Sequence, residues 1–320
     1  MKNQIRNVIR YFRHHKNLKI FSRSKYVVFL YHRILPYHIE DLSNNYLHID
    51  DFEKQINFIR NNFEICDSSN VNNLKETNHF KAIISFDDGY KDNYKYALPI
   101  LDNLKVNSIF FIPTHYIDNE TILWDRYLSL LVNFANRESR EFCIYNKKKE
   151  IIFQKKINET ISKNNFWFLI NYFKFRNIEE INANLQNIKH QIKFNYSYDE
   201  NDFCMSSNQI KDISQNKFFN IGSHSHYHLS FKNYDYDNII QELSLSKRIL
   251  ENITLQNCCN FAFPFGSKQD FNFHQFPIIK KLGLNNIFLN INGINNIDKN
   301  NLSNKRIIMH SDKNLDNILG

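Results

Sequence analysis

Two short stretches concentrate residues whose types could do chemistry. "ISFDDGY" (Ile84–Tyr90) sets Asp87 and Asp88 side by side, ahead of Gly89. "IGSHSHYH" (Ile221–His228) places His224, His226 and His228, three of the chain's 13 histidines, behind Gly222, one of only six glycines. A carboxylate with two imidazoles suits a divalent transition metal, and three protein ligands leave positions open for water or substrate. Adjacent aspartates can divide the work: one holds the ion, and the other takes a proton from water that the ion has made acidic. His224 and His228 are four apart, which puts them on one side of a helical turn; His224 and His226 share a side only in extended chain. Gly222 and the polar residues after it mark the end of a strand, which favours the pair His224 and His228. Both glycines allow tight backbone geometry beside the ligands. An Asp-Asp-Gly triplet alone also makes an ordinary turn. Its combination with the histidine cluster is what points to a metal site.

These residues need a scaffold that brings them together. "YVVFLY" (Tyr26–Tyr31), "AIISF" (Ala82–Phe86), "SIFFI" (Ser108–Ile112), "FFNIG" (Phe218–Gly222), "NFAF" (Asn260–Phe263), "NIFLN" (Asn286–Asn290) and "RIIM" (Arg306–Met309) read as strands. Helical patterns run between them. "DFEKQINFIRNNF" carries Phe52, Ile56, Ile59 and Phe63 on one face, with Asp50 or Asp51 as its N-cap, and "DYDNIIQELSLSKRILENI" is a long amphipathic helix. This alternation predicts a parallel sheet, open or closed into a barrel. Side chains at the C-terminal strand ends of such a barrel converge on one face. Asp87, Asp88, His224 and Pro264 all follow strands there. The stretch from about Ile122 to Asn201 breaks the rhythm. "LWDRYLSLLVNFA" and "FWFLINYFKF" look helical, and the segment reads as a helical insertion between two core strands.

The bulk numbers set limits. A chain of 320 residues with 42% hydrophobic content can bury a substantial core. The net charge is +8, yet residues 1–33 hold nine of the 41 basic residues and no acid. The remaining 32 basic residues face 33 acidic ones, so the body of the chain is nearly neutral. That distribution argues against a nucleic-acid partner, which would call for a basic face across the body. Within residues 1–25, Ile5, Val8, Ile9 and Phe12 recur at helical spacing, with Arg6, Arg10 and Arg13 on other faces. This basic amphipathic segment suits an anionic membrane surface, and it lacks the apolar core of a secretory signal. Residues 26–320 are read as the catalytic domain. Cys66, Cys143, Cys204, Cys258 and Cys259 are odd in number and show no CxxC spacing, so neither a disulfide framework nor a thiolate metal site is indicated. The expected location is the cytoplasm, with peripheral contact at the inner face of the membrane.

"SFDDGY", "GSHSHYH" and "FAFPFG", in that order, resemble the motifs of the polysaccharide deacetylase family, the NodB-homology domain of carbohydrate esterase family 4. "YHRI", "DFEKQINFI" and "DNYKYALPILDNLKVNSIFFIPT" resemble the same family's N-terminal half, and the likeness extends from about Tyr26 to Met309. The resemblance implies a distorted (β/α) barrel that removes N-acetyl groups from an amino sugar in a polysaccharide, lipopolysaccharide or lipid-linked glycan precursor. Carried over residue by residue, it makes Asp87 the general base and Asp88, His224 and His228 the ligands of a divalent metal, zinc first, with cobalt or nickel as substitutes. Phe265, between Pro264 and Gly266, falls where a backbone N–H helps hold the oxyanion and a ring lines the acetyl pocket.

Two departures stand out. The family often carries an arginine just before the Pro-aromatic motif; Ala262 and Phe263 stand there instead, and Arg306 is the candidate replacement. The family's late leucine-x-histidine motif has no clear counterpart; His310 in "IIMHSD" is the nearest candidate for the general acid. His32 ends the first strand and is a candidate for the mouth, and Trp124 and Asp125 in "LWDR" are candidates for a substrate wall. Two other functions fit the same residues: deformylation of a lipid-linked amino sugar, and sugar binding by a catalytically silent relative. Stoichiometric metal separates the last from the others.

Full-length protein should float with vesicles of anionic lipid at low salt, and added salt should weaken the association. A chain beginning at Lys25 should stay behind. Equal flotation of the two forms would contradict the membrane reading.

Overall fold

The apolar runs assemble into one parallel sheet. A computed structural model of the chain describes residues 24–310 apart from 40–41, 44, 196–197 and 298–302. The basic segment and its amphipathic stripe therefore lie outside the described residues. The first half runs β1 (Lys25–Tyr31), β2 (Arg33–Leu35), β3 (Tyr46–His48), α1 (Ile49–Asn62), β4 (Glu64–Ile65), β5 (Lys81–Phe86), α2 (Leu98–Leu104) and β6 (Ser108–Ile112). An inserted segment follows, with α3 (Trp124–Arg137), β7 (Phe142–Tyr145), β8 (Ile151–Lys155), α4 (Lys163–Phe173) and α5 (Ile178–Ile192). The chain returns through α6 (Ser207–Gln215), β9 (Phe219–Ser223), α7 (Tyr236–Thr254), β10 (Asn260–Ala262), α8 (Phe276–Lys281) and β11 (Asn286–Leu289). It finishes with β12 (Asn295–Asn296), β13 (Asn304–Lys305) and β14 (Ile307–Ile308).

The strand order is β12-β1-β5-β6-β9-β10-β11-β13, and the neighbours from β1 to β13 are parallel. The ends of this sheet nearly meet. β13 lies on β11, and β14, beginning two residues after β13 ends, lies parallel to β1 with Phe29 opposite Ile307. The segment from Asn304 to Ile308 therefore bridges the gap and gives the distorted barrel that the resemblance implied.

Period-two alternation sorts the strand residues. Tyr26, Val28, Ile83, Ile109, Phe111, Ala262 and Phe288 form a small cluster inside the barrel. Val27, Phe29, Ala82, Ile84, Phe86 and Phe110 pack outward in the larger cluster shared with the helices. Continuing the inward set past the strand ends delivers His32, Asp87 and His224 to the mouth. Gly222 belongs to that set. A Cβ there would lie 2.6 Å from two ring carbons of Phe111 and 3.1 Å from the Cβ of Asn260. Its glycine is explained by the volume of Phe111, which floors the site.

The insertion has a core of its own. Leu128, Leu131, Phe142, Phe166, Leu169, Ile181 and Leu185 are buried together, and Leu229 and Phe265 of the barrel join them. An antiparallel bridge between Ile122 and Phe203 ties its two ends. Three local readings change. β7 and β8 form an antiparallel hairpin where only helices were expected. The N-cap of α1 is His48, whose ring accepts from the Asp50 N–H, so Asp50 and Asp51 occupy the first turn, where acids complement the helix dipole. The pair His224 and His228 sits in a bend, with Ser225 and His228 both at positive φ, and not on a helical turn.

Gly222→Ala should destabilise the barrel by about 1–3 kcal/mol, the usual cost of overpacking a filled core. A urea-denaturation midpoint equal to that of the wild type would show that Phe111 withdraws freely.

Candidate active site

The barrel mouth opens into a cavity of about 690 Å³ that exposes Asp87, Asp88, His224 and His228 beside Asp125, Phe265 and Arg306. Asp88, His224 and His228 each offer a ligand atom, all within 4.8 Å of one another. The Nε2 atoms of His224 and His228 stand 3.5 and 3.2 Å from Asp88 Oδ1. Their other ring nitrogens meet a carbonyl and a carboxylate behind, the first within hydrogen-bond distance and the second beyond it. His224 Nδ1 lies 2.8 Å from the Ala262 carbonyl, and His228 Nδ1 faces Asp125 at 3.7 Å. Backing of this kind from a carbonyl and a carboxylate is how metal-binding imidazoles are oriented.

His226 goes elsewhere. Its Nδ1 is 2.8 Å from the Thr114 hydroxyl, its N–H donates to Glu242, and it does not line the cavity. Burial, aided by His115, pulls its pKa down to about 4. Asp88, His228 and Phe265 all hold positive φ, at 72°, 58° and 59°. Left-handed backbone at such residues costs free energy and persists where surrounding structure enforces it. Trp124 supplies part of that enforcement. It is 1% exposed and does not line the cavity; its indole N–H donates to the His228 carbonyl at 2.9 Å, and its ring meets Phe265 at 5.8 Å. Trp124 is thus a brace behind the site, and not the substrate wall expected of it.

Arg306 reaches Asp87 from the seam between β13 and β14. Its Nη1 and Nη2 donate to Asp87 Oδ1 and Oδ2, both at 2.7 Å, while Nε donates to the Leu289 carbonyl at 3.2 Å. Burial pushes the Asp87 carboxyl up, but the Arg306 guanidinium outweighs it and holds the group below the ordinary value. Asp88 is likewise held well below its ordinary value, against burial, by hydrogen bonds from the two histidines. Burial alone would pull the His228 imidazole down; Asp125 and Asp88 instead raise it to about 9. Two buried carboxylates and the part-buried Asp125, with Arg306 paired to one of them, favour a cation at this spot, and the donor set fits a divalent transition metal.

His32 and His310 line the same cavity, whereas Pro264 and Gly266 sit behind its wall and shape the turn that presents Phe265. Gly266, at φ +61°, faces the Asn290 backbone N, which a Cβ would meet at 2.7 Å. Sequence reasoning passed over several functional neighbours. Asp125, expected with Trp124 in a substrate wall, does line the cavity, beside His228; the residues passed over lie deeper. A buried network ties Arg33 to Asp92 and Asp202, each at 2.8 Å, with Arg126 on the same Asp202 oxygen, and no local motif announces it.

Residues 75–150 and 154–287 match the sequence model of the family described as polysaccharide deacetylase. The chain belongs to that family. Polysaccharide deacetylases are hydrolases of N-acetyl amide bonds, and the chain has their fold. A polysaccharide deacetylase from Bacillus cereus aligns with 17% identity and a TM-score of 0.57, over 89% of this chain and 65% of its own. The chain thus spans about two thirds of that relative's length. IcaB from Ammonifex degensii aligns with 13% identity and a TM-score of 0.56, over 89% and 92% of the two chains. The deacetylase PplD of Streptococcus pyogenes aligns with 16% identity and a TM-score of 0.52, over 92% and 96%. A comparison with curated protein sequences returned no match.

Arg306→Met leaves Asp87 buried without its counter-charge, so a loss of about 3–5 kcal/mol is expected near pH 7. Asp87 has a lowered folded pKa, so its stabilising contribution is complete above the ordinary carboxylate range and disappears as pH falls through the lowered value. The deficit of the variant should therefore narrow in acid. Chemical denaturation at several pH values checks this, and a pH-independent deficit would mean that Arg306 acts through packing alone.

Proposed function

We propose that the chain removes the N-acetyl group of an amino sugar in a glycan or lipid-linked glycan precursor, with a divalent metal, zinc first, held by Asp88, His224 and His228. The observation that carries this reading is the contrast between the two aspartates. Asp88 faces both histidines, while Asp87, one residue earlier, faces Arg306 and stands 3.7 Å from His224 Nε2. A silent sugar binder has no use for that division.

When bound, the ion supplies Lewis acidity, bringing the pKa of water down toward about 7 and polarising a carbonyl. The chain's own groups do the rest. Asp87, kept ionised by Arg306, accepts the proton of the attacking water. Phe265 offers its backbone N–H to the oxygen that becomes negative, and its ring, 5.1 Å from that of His228, walls the acetyl pocket. His310, which lines the cavity, is the group assigned to protonate the leaving amine. Loss of acetate and release of the amine complete the hydrolysis. The Streptococcus pyogenes relative was solved in complex with acetate, the acid this reaction releases. A basic segment at residues 1–25 would hold the enzyme at an anionic membrane on the cytoplasmic side, where lipid-linked precursors are exposed.

Neutral substitution should separate the aspartates. Asp87→Asn should keep its metal and substrate affinity while kcat falls by roughly 10²–10⁴, the usual worth of general-base catalysis. Asp88→Asn should lose metal first, with partial rescue by added ion. His224→Ala and His228→Ala should also lose it, and His226→Ala should not. Elemental analysis with an acetate-release assay decides the matter: metal lost from Asp87→Asn but kept by Asp88→Asn would reverse the roles, and near-full activity in both would end the hypothesis.

A further inference from the structure

The bend from His224 to His228 has no regular structure to satisfy its buried backbone, so each polar group needs a partner of its own. The His224 N–H donates to the Ile112 carbonyl at 3.0 Å, continuing the ladder between β9 and β6. The Ser225 N–H donates to the Ser223 hydroxyl at 3.2 Å, and the His228 N–H to the Ser225 hydroxyl at 3.1 Å. The Thr114 and His115 N–H groups donate to the Ser225 and His226 carbonyls at 3.1 and 3.0 Å. The two amides in the middle of the bend, those of His226 and Tyr227, both donate to a single oxygen, Glu242 Oε1, at 2.9 and 2.8 Å. Successive N–H groups aimed at one anion make a concave seat for it.

Glu242 comes from α7. Ile239, Leu243 and Leu250 of that helix lie in the main core, which fixes the helix against the sheet. One turn after Glu242, the Ser246 hydroxyl stands 2.7 Å from that of Ser223 and donates to the Ser225 carbonyl at 3.0 Å. One face of α7 therefore answers both donors and acceptors of the bend. Glu242 is buried, with 6% of its surface exposed. Burial raises its carboxyl, and the N–H groups of Tyr227 and His226 oppose that shift. A carboxylate this deep is costly unless it is hydrogen-bonded, and the groups that offset the cost belong to the segment joining two candidate metal ligands.

That segment is under strain. Ser225 and His228 both hold positive φ, which persists only while surrounding structure enforces it. The enforced shape sets the two imidazole rings 5.0 Å apart and brings their ligand atoms within reach of Asp88.

We propose that Glu242 is a positioning residue of the metal centre: it fixes the bend that spaces His224 from His228, so metal affinity depends on a side chain hydrogen-bonded to neither histidine. This rests on the metal-dependent reading above. Reach, and not charge, is what the role requires, because both bonds fall on one oxygen at the end of the side chain.

Two conservative variants of the full chain separate reach from charge. Glu242→Asp keeps the charge but is one methylene too short to meet both N–H groups. Glu242→Gln loses the charge but keeps an oxygen at the same place. The probe is Zn²⁺ alone, its affinity read by competition with a chromophoric chelator. Glu242→Asp should bind it about 10–100-fold more weakly than wild type, the usual loss when support behind a metal ligand is removed. Glu242→Gln should stay within about fivefold, the difference between charged and neutral hydrogen bonds. With Co²⁺ in place of Zn²⁺, the visible absorption of Glu242→Asp should differ from that of wild type and Glu242→Gln, since displaced imidazoles change the geometry around the ion. Lower stability alone does not alter that spectrum. The reverse order of affinities, or equal affinities in the two variants, would overturn the positioning role alone. Failure of the wild type to take up one equivalent of Zn²⁺ would overturn the metal reading, and this role with it.

Discussion

The bidentate pair between Arg306 and Asp87 holds the site and the barrel to one geometry. Arg306 stands between the two short strands that bring the sheet near closure, and its guanidinium points inward to the residue that follows β5. Two parallel N–H···O bonds fix the plane of the carboxylate as well as its charge. A buried pair of this kind adds little net stability over an apolar replacement, but it penalises any arrangement that separates its members. Slippage of the seam would strand Asp87 ionised in the interior. Closure of the barrel and the pairing of Asp87 are thus one structural event.

The second constraint is alternation along the strands. Inward residues come every second position, so a residue two steps beyond an inward core residue arrives at the mouth. This is why the barrel strands and the clusters at their ends could be read from the chain. "AIISF" and "SIFFI" are apolar on both faces, as buried parallel strands must be; the aspartates interrupt the first at its end, and the histidines follow "FFNIG". The hairpin β7–β8 was not legible. "FCIY" and "IIFQK" are short, and the turn between them, "NKKKE", has no glycine to mark it; Lys149 takes the positive φ instead. α5 could have been found, since Ile178, Ile181, Leu185, Ile188 and Ile192 recur at helical spacing behind Asn177, which caps it.

The site was legible in part, for a physical reason. His224 and His228 were paired on the ground of a helical turn, yet a bend with two left-handed residues brings their rings within 5.0 Å. Ligand chemistry restricted the choice where local geometry misled. The supporting residues carry no such signature. Lys174 against Asp270 and Arg33 between Asp92 and Asp202 are charges buried because a partner distant in the chain meets them. Spacing along a sequence cannot announce a partner that only the fold supplies.

The separation of Asp87 and Arg306 by 219 residues has a consequence for synthesis. At about 5–20 residues per second, a ribosome releases Arg306 roughly 10–40 s after Asp87. During that interval the edge of β1 that β14 will cover is open, and an open edge is a template for pairing with other chains. The carboxylate is meanwhile without its guanidinium. A nascent chain brings Asp88, His224 and His228 together before Asp87 can meet its guanidinium. The seam is thus assembled only after β13 and β14 have been translated, and until then the Asp87 carboxylate has no buried counter-charge.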